Sequence, residues 1–137
     1  MTGTYQHTLD SKGRLFVPAK LREELGDVFY VTVAVGCLNV YPLDRWKEME
    51  ESVANMPRQQ RQLMRPIFAL AARCELDGQG RILLPQFLRE HAKLGKNVTV
   101  VGTVDCAEIW DADKWNETCL KEMTAENISR IYNELDF

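Results

Sequence analysis

The chain has 137 residues, a formal net charge of −3 and an apolar content ordinary for a globular protein, enough for one domain or for two small halves sharing a core. No apolar run approaches the ~18 residues that a membrane span requires. The opening MTGTYQHTLD lacks both the basic region and the apolar core of a signal peptide, so a cytoplasmic protein is expected.

Taken in chain order, residues 5–9 and 14–17 read as two short strands around Asp10-Ser11-Lys12-Gly13. Asp first and Gly fourth is the pattern of a type I turn, in which the Asp carboxylate accepts backbone N–H groups. Pro18 suits the first position of a helix over 19–25, closed by Gly26. The β-branched run 28–35 predicts a buried strand, 39–41 its partner, and Asp44 a helix cap. Trp46, Met49, Val53 and Met56 then form a helical apolar stripe, which is core. Residues 57–74 read as helical, with Leu63, Ile67 and Leu70 on one face, Arg58, Arg61 and Arg65 on another, and Pro66 as a kink or boundary.

From Leu76 the first motif is written again. Residues 9–23, LDSKGRLFVPAKLRE, and 76–90, LDGQGRILLPQFLRE, agree at eight of fifteen positions, where chance gives roughly one, so the chain holds an internal repeat. The second copy predicts a helix over 86–94 closed by Gly95, strands over 98–104 and 108–110, and a cap at Asp113. After a two-residue shift Val31 pairs with Val100, Val35 with Val104, Cys37 with Cys106, Tyr41 with Trp110 and Trp46 with Trp115. The four aromatics of those last two pairs are expected to be largely buried at equivalent places. A short amphipathic helix over 125–135 ends the chain. Each half is then β-β-α-β-β-α, too small to bury its faces alone but able to do so against the other. A site made from the repeat should occur twice, or form where the copies meet. The division expected is 5–47 for the first repeat, 48–75 for a helical connector, 76–119 for the second repeat and 120–137 for the last helix.

Net charge taken alone argues against nucleic acid, but its distribution does not. Residues 105–137 hold nine acids and three bases, a net −6, and residues 1–104 hold fourteen bases and eleven acids, a net +3. Placement rather than overall charge therefore decides. The twice-written turn pushes Lys12 and Arg14 outward around Gly13, with Gln79 and Arg81 around Gly80 in the second copy. A projecting two-stranded ribbon fits the DNA major groove, and Arg can bond guanine O6 and N7 together. Arg22 and Arg89, one turn into the helices, could support the tips or touch phosphates. The plain alternative is that Asp10 and Arg14 merely brace a turn by an ion pair of little consequence.

Enzyme and metal readings find less support. His7 and His91 do not correspond and have no ligand spacing, and no phosphate-loop, nucleophile-elbow or dinucleotide pattern is present. Cys37, Cys74, Cys106 and Cys119 form no C-x-x-C pair and are expected to be reduced thiols, so no metal and no cofactor is expected. Asp10 and Asp77 as a hydrolytic carboxylate pair would each be held ionised by the Arg four residues on.

The pairing of D-S-K-G-R-L-x-V-P-A-K-L-R with D-G-Q-G-R-I-L-L-P-x-x-L-R, with the W-D-x-x-x-W stretch from Trp110, resembles the MraZ family over essentially the whole chain. The resemblance implies an α+β, β-rich fold: a double-split β-barrel of two tandem swapped-hairpin units of the AbrB/SpoVT/MazE kind, with flanking helices. It implies a nucleoid-associated transcriptional regulator without enzymatic activity. Such a regulator binds double-stranded DNA at short G-rich direct repeats upstream of a division and cell-wall gene cluster, as a ring-like homo-oligomer. The family's DNA-contacting motif falls on Asp10, Lys12, Gly13 and Arg14, and again on Asp77, Gly80 and Arg81. Gln79 stands where the first copy has Lys12, which makes the second tip the weaker DNA candidate. An antitoxin-like module that binds a protein partner is the alternative.

Overall fold

The computed structural model describes residues 1–136 and runs β1 (Thr4–Thr8), β2 (Arg14–Phe16), α1 (Ala19–Leu25), β3 (Val28–Val33), β4 (Leu38–Pro42) and α2 (Leu43–Ala54). Two short helices follow, α3 (Arg58–Leu63) and α4 (Arg65–Ala69). The second copy is β5 (Ala72–Glu75), β6 (Arg81–Leu83), α5 (Gln86–His91), β7 (Asn97–Gly102), β8 (Ala107–Asp111) and α6 (Ala112–Glu122), and α7 (Ala125–Glu134) closes the chain. The class is α+β. No helix among the described residues is long and apolar enough to cross a membrane.

The copies exchange their first strands. Six strands form one antiparallel sheet in the order β1-β7-β8-β4-β3-β5, so β1 of the first copy lies on β7 of the second and β5 of the second lies on β3 of the first. Tyr5 faces Val100, and Tyr30 faces Arg73. The strands β2 and β6 leave this sheet and pair only with each other, with Leu15 opposite Ile82. Neither copy is complete without the other, as expected of units too small to bury their own faces.

Alternation along the strands sends Phe29, Val31, Val98, Val100 and Ile109 to one face of the sheet, where they meet Leu15 and Ile82 from the ribbon and Leu21, Leu25, Leu88 and Ala92 from α1 and α5. All of these are buried, including the i, i+4 pairs Leu21/Leu25 and Leu88/Ala92 that the pattern placed on one helix face. Cys37 and Cys74 are buried, and all four thiols are free. Burial pushes Cys37 up to about 12 and Cys74 to about 11, which keeps both as inert thiols at neutral pH.

Several local expectations are corrected. Residues 57–74 are not one helix: Met64 separates α3 from α4, Pro66 lies in the first turn of α4, and residues 72–75 are β5. Strand β5 is the exchanged strand, and its partners on β3 lie 41 to 47 residues earlier, so local periodicity could not reveal it. Val35 and Val104 are exposed at 96% and 81% instead of buried, because β3 ends at Val33 and β7 at Gly102 and these residues sit in the following turns. Asp44 and Asp113 lie inside the first turns of α2 and α6 rather than at their caps. The cap that bonds is Asp111, whose carboxylate accepts the Lys114 N–H. Helix α5 ends at His91, and the left-handed residue after it is Lys93 (φ 52°), so Gly95 does not close it as Gly26 closes α1.

Of the four aromatics expected to be buried together, only Trp46 is, at 4% exposure; Tyr41, Trp110 and Trp115 are half-buried. The reason is the segment outside the repeat. Tyr30 stacks on Trp46 at 4.7 Å, and Phe68 of α4 closes over it at 5.0 Å. The Thr32 hydroxyl ties α4 to β3 by donating to the Ile67 carbonyl. In the second copy Trp115 meets Trp110 at 5.7 Å and is half-buried, and Ile131, Tyr132 and Leu135 of α7 are exposed.

Candidate nucleic-acid interface

Each turn is organised by its first residue. Asp10 Oδ1 accepts the N–H groups of Lys12 and Arg14 at 2.9 Å each, and Asp77 Oδ1 accepts those of Gln79 and Arg81 at the same distance. The second carboxylate oxygen takes the Arg side chain, Arg14 Nε at 2.6 Å and Arg81 Nε at 2.8 Å. Each carboxylate takes its guanidinium by Nε, and neither turn engages the two terminal nitrogens, the pair that can bond O6 and N7 of guanine, in a hydrogen bond. Asp therefore aims the Arg rather than merely neutralising it. Asp10 and Asp77 are each engaged within their own turn, and the joint carboxylate site considered from sequence does not form.

These bonds hold both carboxyls below the ordinary value of 3.8, chiefly through the N–H of Arg14 on Asp10 and of Arg81 on Asp77. A depressed folded-state pKa contributes order above the ordinary pKa that is lost as pH falls through the lowered one. We expect the tips to be unchanged between pH 7 and pH 5 and to loosen only below 3.8. Carboxyl-carbon NMR titration checks this, and a midpoint at or above that value for either Asp would contradict it.

The ribbon corrects one expectation and sharpens another. The projecting two-stranded element is not β1 with β2; those strands share only the bridge Leu9–Leu15 and then diverge. It is β2 with β6, one strand from each copy, in which Arg14 faces Leu83 and Phe16 faces Arg81. Leu15 and Ile82 point into the core, so Arg14, Phe16, Arg81 and Leu83 share the outer face. The site thus forms once, where the copies meet, with both arginines on it. Phe16 and Leu83 were missed from sequence. They are 45% and 60% exposed, and the signal was present in R-L-F and R-I-L, since residues two apart on a strand share a face. The Arg81 guanidinium lies 5.9 Å from the Phe16 ring centre. Its side chain is 19% exposed against 34% for Arg14, so the first copy presents the freer cation.

Arg22 and Arg89 bond backbone beside the tips. Arg22 Nε donates to the Val17 carbonyl and Arg89 Nε to the Leu84 carbonyl, both at 3.0 Å. Their guanidinium groups lie across the pseudo-twofold against the opposite tip. A Cβ at Gly80 would fall 2.5 Å from Arg22 Nη1, and one at Gly13 would fall 2.8 Å from Arg89 Cζ. Both glycines also have positive φ, 81° at Gly13 and 78° at Gly80. The positive φ favours glycine there, and a side chain would also displace the guanidinium lying against it. The tips are further joined where Val17 N–H donates to the Gly80 carbonyl and Leu84 N–H to the Gly13 carbonyl. Lys12 and Gln79 are both exposed at their tips.

The family model described as "MraZ protein, putative antitoxin-like" matches residues 1–64 and 67–134. A protein of Carboxydothermus hydrogenoformans named "Transcriptional regulator MraZ" is 49% identical over 121 residues, 85% of each chain. One of the same name from Caldanaerobacter subterraneus subsp. tengcongensis is 47% identical over 140 residues, 99% of this chain and 96% of its own. A third, from Pediococcus pentosaceus, is 44% identical over 98% of this chain. With both D-x-x-x-R turns in one ribbon and a family match that spans both copies, the chain belongs to the MraZ family.

Proposed function

We propose that the chain is a sequence-specific DNA-binding transcriptional regulator without enzymatic activity, reading DNA through the outer face of the β2–β6 ribbon. The observation that carries this is the convergence of Arg14 and Arg81 on one exposed face, each aimed by its own Asp. A face that exists only when both copies are present is a reason for the motif to be written twice, which a simple turn brace would not require. The relatives' name, transcriptional regulator, supports the same reading. In its finer form, the protein represses from short G-rich direct repeats upstream of a division and cell-wall gene cluster, as a ring-like homo-oligomer at the nucleoid in the cytoplasm. The strand exchange supports reading the fold as a double-split β-barrel with the repeats at 5–47 and 76–119. The test is an electrophoretic shift with the DNA upstream of the chain's own coding region against a scrambled duplex of equal length. Binding to both alike would remove the claim of specificity.

Within that reading, Arg14→Ala costs about 1–3 kcal/mol per engaged subunit if Arg14 bonds guanine. Arg81→Ala costs less, because Arg81 is partly covered beside Phe16 and its tip carries Gln79 where the first carries Lys12. Fluorescence anisotropy with folding verified by circular dichroism measures both, and equal losses would overturn the ranking.

The words antitoxin-like in the family description favour a second reading, a module that binds a protein partner on the same barrel. Arg14→Ala separates them: on the DNA reading it removes DNA binding and spares the binding of a protein partner.

A further inference from the structure

The tips share a geometry, but their surroundings carry opposite charge. The Leu9 N–H donates to the carbonyl of Lys96 at 2.8 Å, and the Leu76 N–H donates to the carbonyl of Asp27 at 2.9 Å. These two bonds are the same bond in the two halves, since β1 crosses to β7 of the second copy and β5 crosses to β3 of the first. Lys96 and Asp27 therefore occupy one pseudo-symmetric position, each beside the tip that the other copy supplies. Both are exposed, and neither has an ion-pair partner among the described residues.

Lys96 lines the same surface depression as Leu9, Asp10, Ser11 and Arg89. Around the first tip this gathers four cations, Lys12, Arg14, Arg89 and Lys96, against two carboxylates, Asp10 in the turn and Asp111, which accepts the Gly95 N–H beside Lys96. Around the second tip Arg81 and Arg22 stand against Asp77 and Asp27, which balances. Asp27 also shares its depression with Glu23 and Glu24, of which Glu24 is paired with the Met1 amino group. A bare carboxylate beside a DNA-facing turn repels phosphate, and a bare ammonium in that place attracts it. Both act within the ~10 Å over which charges are felt at 0.1 M salt.

We propose that Lys96 is a phosphate-backbone contact of the interface and that Asp27 keeps phosphate away from the corresponding place beside the second tip, so that the first tip anchors each protomer to the duplex. This rests on the DNA reading above and adds to it a residue outside the D-x-x-x-R motif and an electrostatic distinction between the two copies. A backbone contact carries no base information, so its loss weakens all sequences alike.

The experiment is fluorescence anisotropy across a salt titration, with the upstream duplex and the scrambled duplex, for Lys96→Ala, Asp27→Lys and Lys47→Ala, an equally exposed cation on α2. Lys96→Ala weakens binding of both duplexes about three- to tenfold and flattens the log–log salt slope by about 0.9 for each engaged protomer. Asp27→Lys strengthens both by a similar factor and steepens the slope, and Lys47→Ala changes neither. Asp27→Asn gives the same sign, with a smaller gain, should Asp27→Lys fail to fold. Arg14→Ala serves as the separate arm for the DNA reading. If it abolishes binding while the Lys96 and Asp27 variants stay within twofold of the parent, this inference is overturned and the DNA reading stands. If the parent binds neither duplex, the DNA reading fails and takes this inference with it.

Discussion

A duplex carrying three or four in-phase repeats is expected to bind ~10²–10⁴ times more tightly than a duplex carrying one, without any new contact per protomer. On the proposed reading the ribbon would offer two arginines to the groove in a chain whose overall charge is −3, which makes a single protomer's hold on DNA weak. Linking several protomers in one ring turns the later contacts into intramolecular ones at high effective concentration. A head-to-tail interface closes into a ring when its rotation permits. The acidic stretch after Asp105 and the exposed Arg58, Arg61 and Arg65 of α3 and α4 are complementary in charge, and the exposed apolar residues of α7 would dominate the burial. Spacing matters as much as number. Lengthening each spacer by half a helical turn moves alternate repeats to the opposite face of the duplex and returns affinity toward that of a single repeat. A titration of matched duplexes at fixed salt, alongside native mass spectrometry, measures both. Equal affinity for one repeat and four, or a monomer at binding concentrations, would remove the ring reading and leave the single-protomer interface intact.

The second large effect separates two neighbours on a three-residue strand. Leu15→Ala is expected to lower stability by about 2–5 kcal/mol, and Phe16→Ala to change it by no more than about 0.5 kcal/mol. Leu15 is 2% exposed and packs with Ile82 beneath the ribbon, where both copies contribute to one core; Phe16 is 45% exposed on the outer face beside Arg81. Removing the Leu15 side chain leaves a cavity under the β2–β6 ribbon, so on the proposed reading DNA binding falls along with folding. Phe16→Ala instead uncovers Arg81 and alters binding without unfolding the chain. Urea denaturation followed by tryptophan fluorescence, together with anisotropy, measures the two effects separately. Similar stability losses for both variants would show that the ribbon does not alternate as described.

Much of this was legible in the residues. The repeat, the Asp-led turns, the Pro-started helices with their i, i+4 leucines and the pairing of each Asp with the Arg four residues on are local patterns, and local geometry realises them. The Asp10–Arg14 and Asp77–Arg81 bonds follow from turn chemistry alone. Other features depend on partners distant in sequence. Residues 72–75 look helical in isolation and become β5 because β3 offers an open edge. Trp46 and Trp115 occupy equal places in the repeat but differ in burial, because Phe68 from the connector, a segment outside the repeat, covers the first.

What the sequence determined by itself was the pair of turns, their aimed arginines and the membership in a family whose motif they carry, since each is set by contacts within five residues. Tertiary structure decided that the two turns build a single face. Strand exchange sends β2 to β6 rather than to β1, because only that pairing lets Leu15 and Ile82 close a core neither half can close alone. The same exchange brings Arg22 against Gly80, Arg89 against Gly13, Lys96 beside the first tip and Asp27 beside the second. Those juxtapositions join residues some 50 to 90 positions apart, and burial of apolar surface across the pseudo-twofold is the force that makes them.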